Sequence, residues 1–488
     1  MTTRRDFLLQ SMFSAAGLSL LGSGTLTATG KALPAADTPK KVVVVGAGLA
    51  GLAAAYELSQ AGHDVTILEG RVRPGGRVFT IRGQFADGMY AEAGATNVFD
   101  VHQWTIKYAK LLGVELDPVV APTGASLFYL KGKRIVIKAN NPVDWPIELR
   151  ADERGQTRGQ LWTRYVVPVL KELGDPEAAD WPPASLKKYD ELSFAEFLQK
   201  QGASAGAISI LRRGLADQVG EGADAVSALD LLREALPRML EKQLYVIRGG
   251  SDSLPRAFAA KLSDQIRYGC AVANIEQQTD HVRVDYLRSG QTETITGQFV
   301  ICAVPFSVLQ NIRFAAHLSP EKLQAIKQLG NTSVVRVFMQ TRKRFWLDEG
   351  LTGAATTDLP LMTAYDKNFY QPGTRGMLEA YVAGDWARQL TRMSADGRFN
   401  FTVSQMQLIH PALRDNLEGG TSVCWDDEIW SRGAYAWFRP GEMTAMLSHI
   451  AKPEGRIHFA GDHTSASPGW MNGALQSGNR AAREVAAR

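Results

Sequence analysis

The sequence predicts an α/β protein organised around one strand–turn–helix–strand unit near its N-terminus. Four consecutive valines, Val42 to Val45, form the short apolar run that is typical of a strand buried on both faces. A glycine-rich turn and an alanine-rich helical segment follow, and a second apolar strand, 65–68, comes next. Strands that alternate with helices in this order favour a Rossmann-like domain with a parallel sheet.

The turn after the first strand has the composition of a dinucleotide-binding site. Gly46, Gly48 and Gly51 stand at G-x-G-x-x-G spacing directly before the helical segment. The first glycine permits the tight turn, the second lets backbone approach a pyrophosphate, and the third lets helix and strand pack closely. Glu69 ends the second strand, where its carboxylate is placed to accept hydrogen bonds from an adenosine ribose. The order of all these features predicts dinucleotide binding.

Length and composition place the chain among ordinary globular proteins. At 488 residues it is long enough for two to four domains. Because 45% of the residues are hydrophobic and 21% are charged, disorder is not expected. The net charge of +4 comes without a block of lysines and arginines, which argues against nucleic acid as the main partner.

The cysteines and histidines predict neither a disulfide framework nor a metal site. Cys270, Cys302 and Cys424 are too few and too widely spaced for either. The first two lie in or beside apolar strand-like stretches, which favours buried thiols, whereas Cys424 is left open. The eight histidines show no HExxH pattern, so we expect no metal.

The first 39 residues are excluded from the fold because they resemble a twin-arginine export signal. Arg4 and Arg5 precede an apolar run from Phe7 to Leu21 that is rich in serine, glycine and alanine. This resemblance implies export to the periplasm or secretion; a tail with a chance arginine pair is the alternative. No other run approaches the ~18 apolar residues of a membrane-spanning helix, so none is predicted.

Four separated motifs resemble the flavin-dependent amine oxidases, a family of monoamine, polyamine and L-amino-acid oxidases. The first is the glycine-rich unit itself, and the second is RPGGR at 73–77. The third is the RGG-x-x-x-L segment at 248–254. The fourth is the C-terminal FAGD at 459–462 with GWMNGA at 469–474. Together they extend the resemblance over nearly all of residues 40–488.

The resemblance implies a Rossmann-like FAD-binding domain built from discontinuous segments, plus an α+β substrate domain with a helical insertion. The FAD-binding segments are expected at 40–98, 244–312 and 425–488, and the substrate segments at 99–243 and 313–424. Within the insertion, helices are predicted around 161–173, 193–201, 207–218 and 228–242.

The resemblance also implies non-covalent FAD and a set of residues that hold it. Arg77 would contact the diphosphate, for which a guanidinium fork is suited. Asp462 would contact the ribityl or phosphate region, and Val272 the adenine through its backbone. Ala434 occupies the position where monoamine oxidases carry the cysteine that bonds FAD. The complete set of implied FAD contacts is Gly46, Gly48, Leu49, Ala50, Gly51, Glu69, Gly70, Gly76, Arg77, Gly94, Ala95, Thr96, Val272, Trp425, Asp462, Gly469, Met471 and Ala474.

Five further positions are implied to carry the chemistry. Tyr435 and Trp470 match the aromatic pair that flanks the flavin and admits a neutral amine. Arg336 stands where the family usually has a lysine near flavin N5; binding a substrate carboxylate and a surface-facing strand arginine are the alternatives. Tyr381 matches a tyrosine that helps L-amino-acid oxidases hold the substrate carboxylate. Asn97, however, replaces the arginine that forms their main carboxylate clamp.

The activity implied is oxidative deamination of an L-amino acid or related amine, with reduction of O₂ to H₂O₂. A monoamine or polyamine oxidase acting on a carboxylate-free amine is one alternative. A flavin desaturase or dehydrogenase with another acceptor is a second, and a non-catalytic flavoprotein is a third. The resemblance leaves a homodimer open as the assembly.

Overall fold

The computed structural model describes residues 32–120, 122–138, 141–178, 180–216, 218–315 and 318–488. The twin-arginine motif at residues 4–5 lies outside these ranges. Among the helices in these ranges, none is both long enough and apolar enough to span a bilayer.

A five-stranded parallel sheet forms the centre of the dinucleotide-binding part. Lys41–Val45 pairs with Asp64–Glu69 on one side and with Phe299–Cys302 on the other. Ile266–Tyr268 and Ile457–Phe459 complete the two edges. Since strands from widely separated parts of the chain share this sheet, the predicted fold class is confirmed.

Two helices pack closely over this sheet and lie directly against each other. The helix Leu49–Gln60 follows the glycine turn, and the helix Met471–Ala486 ends the described chain. Gly478 lies at their contact, where an added Cβ would come within 2.2 Å of the Ala50 carbonyl oxygen. The close approach of the two backbones therefore requires glycine at position 478.

A four-stranded sheet lies beside the parallel sheet. Cys270–Gln277, Val282–Arg288 and Gln291–Gly297 form an antiparallel ribbon, and Arg313–Phe314 adds a short parallel edge. The alternating sequence at 281–286 predicted the middle strand, and the structure confirms it.

A seven-stranded mixed sheet dominates the second part of the molecule. Val334–Thr341 and Gly376–Ala383 pair antiparallel, and every residue of the first strand is buried. Neighbouring strands cover both of its edges, and the helix Gly384–Thr391 packs against it. The sheet is completed by Ala125–Leu130, Lys133–Ile137, Leu351–Thr357, Thr363–Asp366 and Leu417–Cys424.

The helical insertion contains shorter helices than the sequence predicts. The segment expected at 207–218 is the helix Ala205–Leu211, because the chain turns at Gly214 with a φ of +72°. The segment expected at 228–242 is the helix Ala228–Arg238, which has Pro237 in its last turn. The other α-helices of the insertion are Arg158–Tyr165, Val167–Leu170, Lys187–Asp190 and Phe194–Lys200.

The remaining elements are short strands and further helices. The further strands are Thr80–Ile81, Ala91–Glu92, Val98–Phe99, Leu116–Pro118, Leu244–Ile247, Gly330–Asn331 and Ala436–Trp437. The further α-helices are Gln103–Leu111, Ser253–Lys261, Phe306–Leu309, Pro320–Gln328, Ala395–Ile409, Leu413–Asn416 and Glu442–Ile450. All three cysteines are buried thiols, which includes Cys424.

Candidate active site

A large cavity opens at the carboxyl end of the central parallel strand, where the order of strands in the sheet reverses. Open α/β sheets place ligands at such switch points. This main cavity has an empty volume of about 1380 Å³, part of which is open to solvent. Glu69 and Val272 line it on the sheet side, and Tyr381 and Tyr435 line it where it meets the seven-stranded sheet.

The glycine turn lines the main cavity with exposed backbone. Gly46 has a φ of +103°, and a Cβ on Gly51 would lie 2.0 Å from the Gly46 carbonyl oxygen. Gly48 differs, because a Cβ there would meet no protein atom within 4 Å. A Cβ on Gly76 would meet only the Gly48 Cα, at 3.5 Å. Two glycines thus border one open space next to a helix N-terminus, which fits a pyrophosphate.

Glu69 presents a buried carboxylate at the same end of the cavity. Its two oxygens accept backbone N–H groups from Ala47 at 2.7 Å and from Arg71 at 2.8 Å. Burial raises the pKa of Glu69, and these hydrogen bonds partly offset that effect. The bonds fix the carboxylate beside the cavity, where its remaining lone pairs can accept ribose hydroxyls.

Arg77 and Asp462 form an ion pair that joins distant parts of the chain at the cavity wall. Arg77 also donates to the Ala434 carbonyl, and Asp462 accepts the Gly469 N–H at 2.9 Å. Burial opposes ionisation of Asp462, but the Arg77 guanidinium keeps its pKa below the usual range. The site therefore holds a cation whose fork geometry suits phosphate oxygens.

Tyr435 and Trp470, the aromatic pair predicted to flank the flavin, are here called the cage aromatics. Tyr435 lies at the junction of the main cavity with a second cavity. Its hydroxyl donates to the Ala216 carbonyl. A Cβ on Gly469 would sit 3.5 Å from the Tyr435 Cβ, so the chain passes directly beside the ring. Trp470 follows Gly469 and lines both cavities as well.

The Trp470 indole is held from several sides. The rings of Phe99 and His102 pack edge-on, with centroids 5.8 and 4.8 Å away. The indole N–H donates to Glu234 at 3.2 Å, and the Arg238 guanidinium lies 5.1 Å from the ring centroid. Burial lowers the pKa of His102 to about 3, so this imidazole is neutral at ordinary pH.

Arg336 is buried, so the interpretation as a surface-facing strand arginine is wrong. Its guanidinium binds Glu379 through two hydrogen bonds, of 2.7 and 2.8 Å, and donates to the Gly94 carbonyl at 2.5 Å. Tyr381 stands opposite it on the neighbouring strand, with the guanidinium 5.4 Å from the ring centroid. The Arg336 charge is therefore matched by the Glu379 carboxylate inside the protein.

Two further tryptophans, besides Trp470, line the main cavity. Trp425 is 2% exposed and donates its indole N–H to the Ala93 carbonyl at 2.8 Å. The Trp430 ring packs on Gly70, where an added Cβ would lie 2.9 Å from ring carbons. Sequence reasoning missed Trp430; the density of aromatic residues at 425–438 was the available signal.

The second cavity, here called the side cavity, has an empty volume of about 790 Å³. It shares Arg336, Tyr381, Tyr435 and Trp470 with the main cavity, so the two meet at the cage aromatics. Asn97 also lines it. One part of its lining is the helix Ala228–Arg238, with Asp230, Glu234 and Arg238. Another part comes from strands of the mixed sheet, with Arg336, Tyr365 and Tyr381, and from Lys367, which directly follows the strand Thr363–Asp366.

The structure brings the implied residues together with few exceptions. Every implied FAD contact lines the main cavity except Gly51, which packs behind the turn, and Thr96, which lines the side cavity. Sequence reasoning missed Glu234, Arg238 and Lys367. The one available signal was the i, i+4 spacing of Glu234 and Arg238 on a predicted helix, which indicates that these two residues share a helix face.

Known proteins resemble this chain over most of its length. The family model described as flavin containing amine oxidoreductase matches residues 49–486. An L-amino-acid oxidase of Sistrurus catenatus edwardsii is 31% identical over 467 residues, which are 93% of this chain and 88% of that protein. The L-amino-acid oxidase BmooLAAO-I of Bothrops moojeni is 29% identical over 467 residues, which are 93% of this chain and 90% of that protein.

Solved structures share the fold. Cyclohexylamine oxidase from Brevibacterium oxydans IH-35A superposes with a TM-score of 0.79 at 20% identity, over 92% of this chain and 99% of that chain. Wild-type putrescine oxidase bound to putrescine gives a TM-score of 0.78 at 24% identity, over 92% of this chain and 100% of that chain. With the family model covering most of its residues, the chain belongs to the flavin-containing amine oxidoreductases.

Proposed function

We propose that this protein is an FAD-dependent oxidase that deaminates an L-amino acid and reduces O₂ to H₂O₂. The observation that carries the proposal is the side cavity, which meets the main cavity at Tyr435 and Trp470 and has both Lys367 and Tyr381 in its lining. The chain is similar over about nine-tenths of its length to proteins named L-amino-acid oxidases. This similarity supports an L-amino acid, rather than a carboxylate-free amine, as the substrate.

The residues of the main cavity suit FAD. Glu69 would hold the ribose, the backbone at Gly48 and Gly76 would hold the pyrophosphate together with Arg77, and the N-terminus of the helix Met471–Ala486 would face the flavin ring. When bound, the flavin supplies a two-electron acceptor that can pass its electrons to oxygen.

The cage residues would orient the substrate amine and exclude water from it. Tyr435 and Trp470 are fixed by their own hydrogen bonds, so their faces keep one orientation before substrate enters. An amine between two aromatic faces is largely desolvated, which favours its neutral form. The His102 ring, neutral because burial lowers its pKa to about 3, adds no charge next to Trp470.

Lys367 is our candidate for the carboxylate clamp that Asn97 does not provide. Arg336 is a weaker candidate because its guanidinium already binds Glu379 in bidentate geometry. Lys367 lies 4.4 Å from the Tyr365 ring centroid and lines the side cavity with Tyr381. A lysine at this place can pair with a carboxylate, with the tyrosine hydroxyl as a second donor.

We expect L-amino acids to bleach the flavin absorbance under anaerobic conditions and their decarboxylated amines to do so much more slowly. Admission of air should restore the absorbance and release H₂O₂. Lys367→Met should raise the KM for amino acids at least about tenfold, the loss expected for one charged hydrogen bond. The KM for the corresponding amine should change little.

Rapid bleaching by amines alone would contradict the amino-acid assignment and would favour an oxidase of carboxylate-free amines. Asn97 is the feature that favours this second candidate, because no arginine stands at that position. Bleaching by neither class would contradict the oxidase assignment while leaving the flavoprotein assignment intact.

We also propose that FAD is held without a covalent bond. Ala434 lines the main cavity with a side chain that cannot form one. Acid precipitation of the holoenzyme should therefore release all of the yellow colour into the supernatant, and the released compound should co-chromatograph with FAD. Flavin that stays in the washed protein pellet would contradict this, and FMN in the supernatant would contradict the identity of the cofactor.

Export by the twin-arginine route stays a prediction from Arg4 and Arg5. It is consistent with an enzyme that must bind its cofactor before it crosses a membrane. The domain boundaries at 98, 243, 312 and 424 likewise remain our proposal.

A further inference from the structure

We infer that Gly220 and Glu221 are positioning residues for the cage aromatics: they hold a loop of the helical insertion against Tyr435, and this loop fixes the orientation of the Tyr435 ring. The loop comprises residues 214–216 and 218–222 and is here called the cage loop. This inference rests on the proposed function, because it takes Tyr435 as part of the slot that receives the substrate amine. Neither Gly220 nor Glu221 belongs to the lining of the main cavity or the side cavity.

The Tyr435 side chain reaches the cage loop with its hydroxyl. The Tyr435 backbone pairs with a different part of the chain, since its carbonyl accepts the Thr332 N–H at 2.9 Å. The hydroxyl donates to the Ala216 carbonyl. Ala216 is 3% exposed, so this bond is shielded from water. The orientation of the ring therefore depends on where the cage loop places the Ala216 carbonyl.

Gly220 allows the cage loop to lie this close to the ring. A Cβ at position 220 would lie 2.8 Å from the Tyr435 hydroxyl oxygen and 2.7 Å from the Ala383 Cβ. A second glycine faces it, because a Cβ on Gly384 would lie 2.5 Å from the Gly220 carbonyl oxygen. There is no room for a side chain at this contact, so position 220 requires glycine.

Glu221 ties the cage loop to the helix Gly384–Thr391. Its two carboxylate oxygens accept hydrogen bonds from the Arg388 guanidinium at 3.0 and 2.8 Å, in bidentate geometry. Arg388 also pairs with the exposed Asp385 on its own helix, at 2.6 Å. Because this helix begins at Gly384, the ion pair and the contact between the two glycines dock the cage loop on the same element.

Trp470 is anchored on the same part of the molecule. Its indole N–H donates to Glu234 at 3.2 Å, and Glu234 lies on the helix Ala228–Arg238, which follows the cage loop in the insertion. Tyr435 and Trp470 both come from the last segment of the chain, yet both direct a hydrogen bond to the helical insertion. The insertion thus contributes to the orientation of both cage aromatics, and the cage loop does so for Tyr435.

A displaced cage loop should affect the reaction of bound substrate more than its binding. The hydroxyl bond keeps the Tyr435 ring in one orientation before the substrate enters, and such preorganisation acts on the rate of the chemical step. The loss of one neutral hydrogen bond corresponds to about a two- to tenfold change in rate. A residue that contributes only to stability would instead lower the thermal unfolding midpoint and leave this rate unchanged.

The test measures anaerobic bleaching of the flavin in holoenzyme variants, with the best substrate from the panel of amino acids and amines. The limiting rate, the substrate concentration at half the limiting rate and the thermal unfolding midpoint are recorded. Gly220→Ala places a methyl group against the Tyr435 hydroxyl, and Glu221→Ala removes both hydrogen bonds to Arg388. Tyr435→Phe removes the hydroxyl and is also combined with Glu221→Ala.

Gly222→Ala is the matched control for strain in the cage loop. Gly222 has a φ of +90°, so alanine there strains the backbone. A Cβ at position 222 would meet no atom of the described residues within 4 Å, and it therefore does not reach the Tyr435 ring. Gly222→Ala should lower the thermal unfolding midpoint and keep the limiting rate.

We expect Gly220→Ala, Glu221→Ala and Tyr435→Phe each to lower the limiting rate about two- to tenfold, with a smaller effect on the half-saturating concentration. In the Tyr435→Phe background, Glu221→Ala should cost less than about a further twofold, because the hydroxyl that it positions is already absent. This dependence on the hydroxyl separates a positioning role of Glu221 from a general effect on folding.

A wild-type limiting rate in Gly220→Ala or in Glu221→Ala would overturn the inference. Full multiplication of the two losses in the double variant, or an equal loss in Gly222→Ala, would also overturn it. If no substrate bleaches the flavin, the proposed function fails, and crystal structures of the wild-type and Gly220→Ala holoenzymes decide the inference instead. A Tyr435 hydroxyl moved away from the Ala216 carbonyl in the variant would support it, and an unmoved hydroxyl would overturn it.

Discussion

Gly48→Ala should yield a protein that folds as wild type does but is purified without most of its FAD. The backbone of Gly48, with φ −70° and ψ 171°, suits any residue, and an added Cβ meets no protein atom within 4 Å. That Cβ would instead project into the space that we assign to the pyrophosphate. We expect the FAD dissociation constant to rise about tenfold or more, since overpacking costs roughly 1–3 kcal/mol.

The measurements are the ratio of flavin to protein absorbance after purification and a fluorescence titration of the stripped protein with FAD. Gly51→Ala is the matched comparison, because its Cβ would lie 2.0 Å from the Gly46 carbonyl oxygen. It should disturb the turn itself and lower the thermal unfolding midpoint of the flavin-free protein. A wild-type flavin content in Gly48→Ala would show that the pyrophosphate does not pass this glycine.

Arg336→Met should destabilise the protein by about 3–5 kcal/mol, the range expected when one partner of a buried ion pair is removed. The reason is that Glu379, whose side chain is 1% exposed, would remain as a buried carboxylate without its bidentate partner. Removing both charges in the double variant Arg336→Met/Glu379→Met should recover most of this loss. Urea unfolding monitored by tryptophan fluorescence gives the midpoints for comparison.

Arg375→Met is the control for this pair. Arg375 binds Glu418 and Asp87 in a more exposed setting, with 31% of its own side chain accessible, so its removal should cost no more than about 1 kcal/mol. If the double Arg336/Glu379 variant is no more stable than the single one, the destabilisation arises from packing rather than from the unpaired carboxylate.

Sequence reasoning named most of the residues that line the main cavity because those residues depend on local chemistry. The glycine turn needs residues without a side chain at fixed spacing, and the Glu69 carboxylate needs backbone N–H donors close by. Both requirements are met within short stretches of chain, so they appear in the sequence as short motifs. The pairing of Arg336 with Glu379 could not be predicted in this way, since it depends on the register of two strands that are 43 residues apart in the chain.

The helix wall of the side cavity was missed for a related reason. Glu234 and Arg238 look like ordinary surface charges on an amphipathic helix, and nothing in the local sequence shows that this face turns toward Trp470. Two helices of the insertion also end earlier than predicted. Gly214 lies in a left-handed turn after the first helix, and Pro237 lies in the last turn of the second. In both segments the apolar pattern of the sequence continues beyond the end of the helix.

The Arg77–Asp462 pair has a consequence for how the protein is made. Its partners are separated by 385 positions in the chain, and the sheet edge strand Ile457–Phe459 shortly precedes Asp462 in the sequence. The main cavity therefore cannot close before the segment around Asp462 has left the ribosome. Contacts of such long sequence separation form slowly. Until they form, the apolar segments already synthesised are exposed to aggregation and proteolysis, and this exposure ends when the segments around Arg77 and Asp462 meet at the cavity wall.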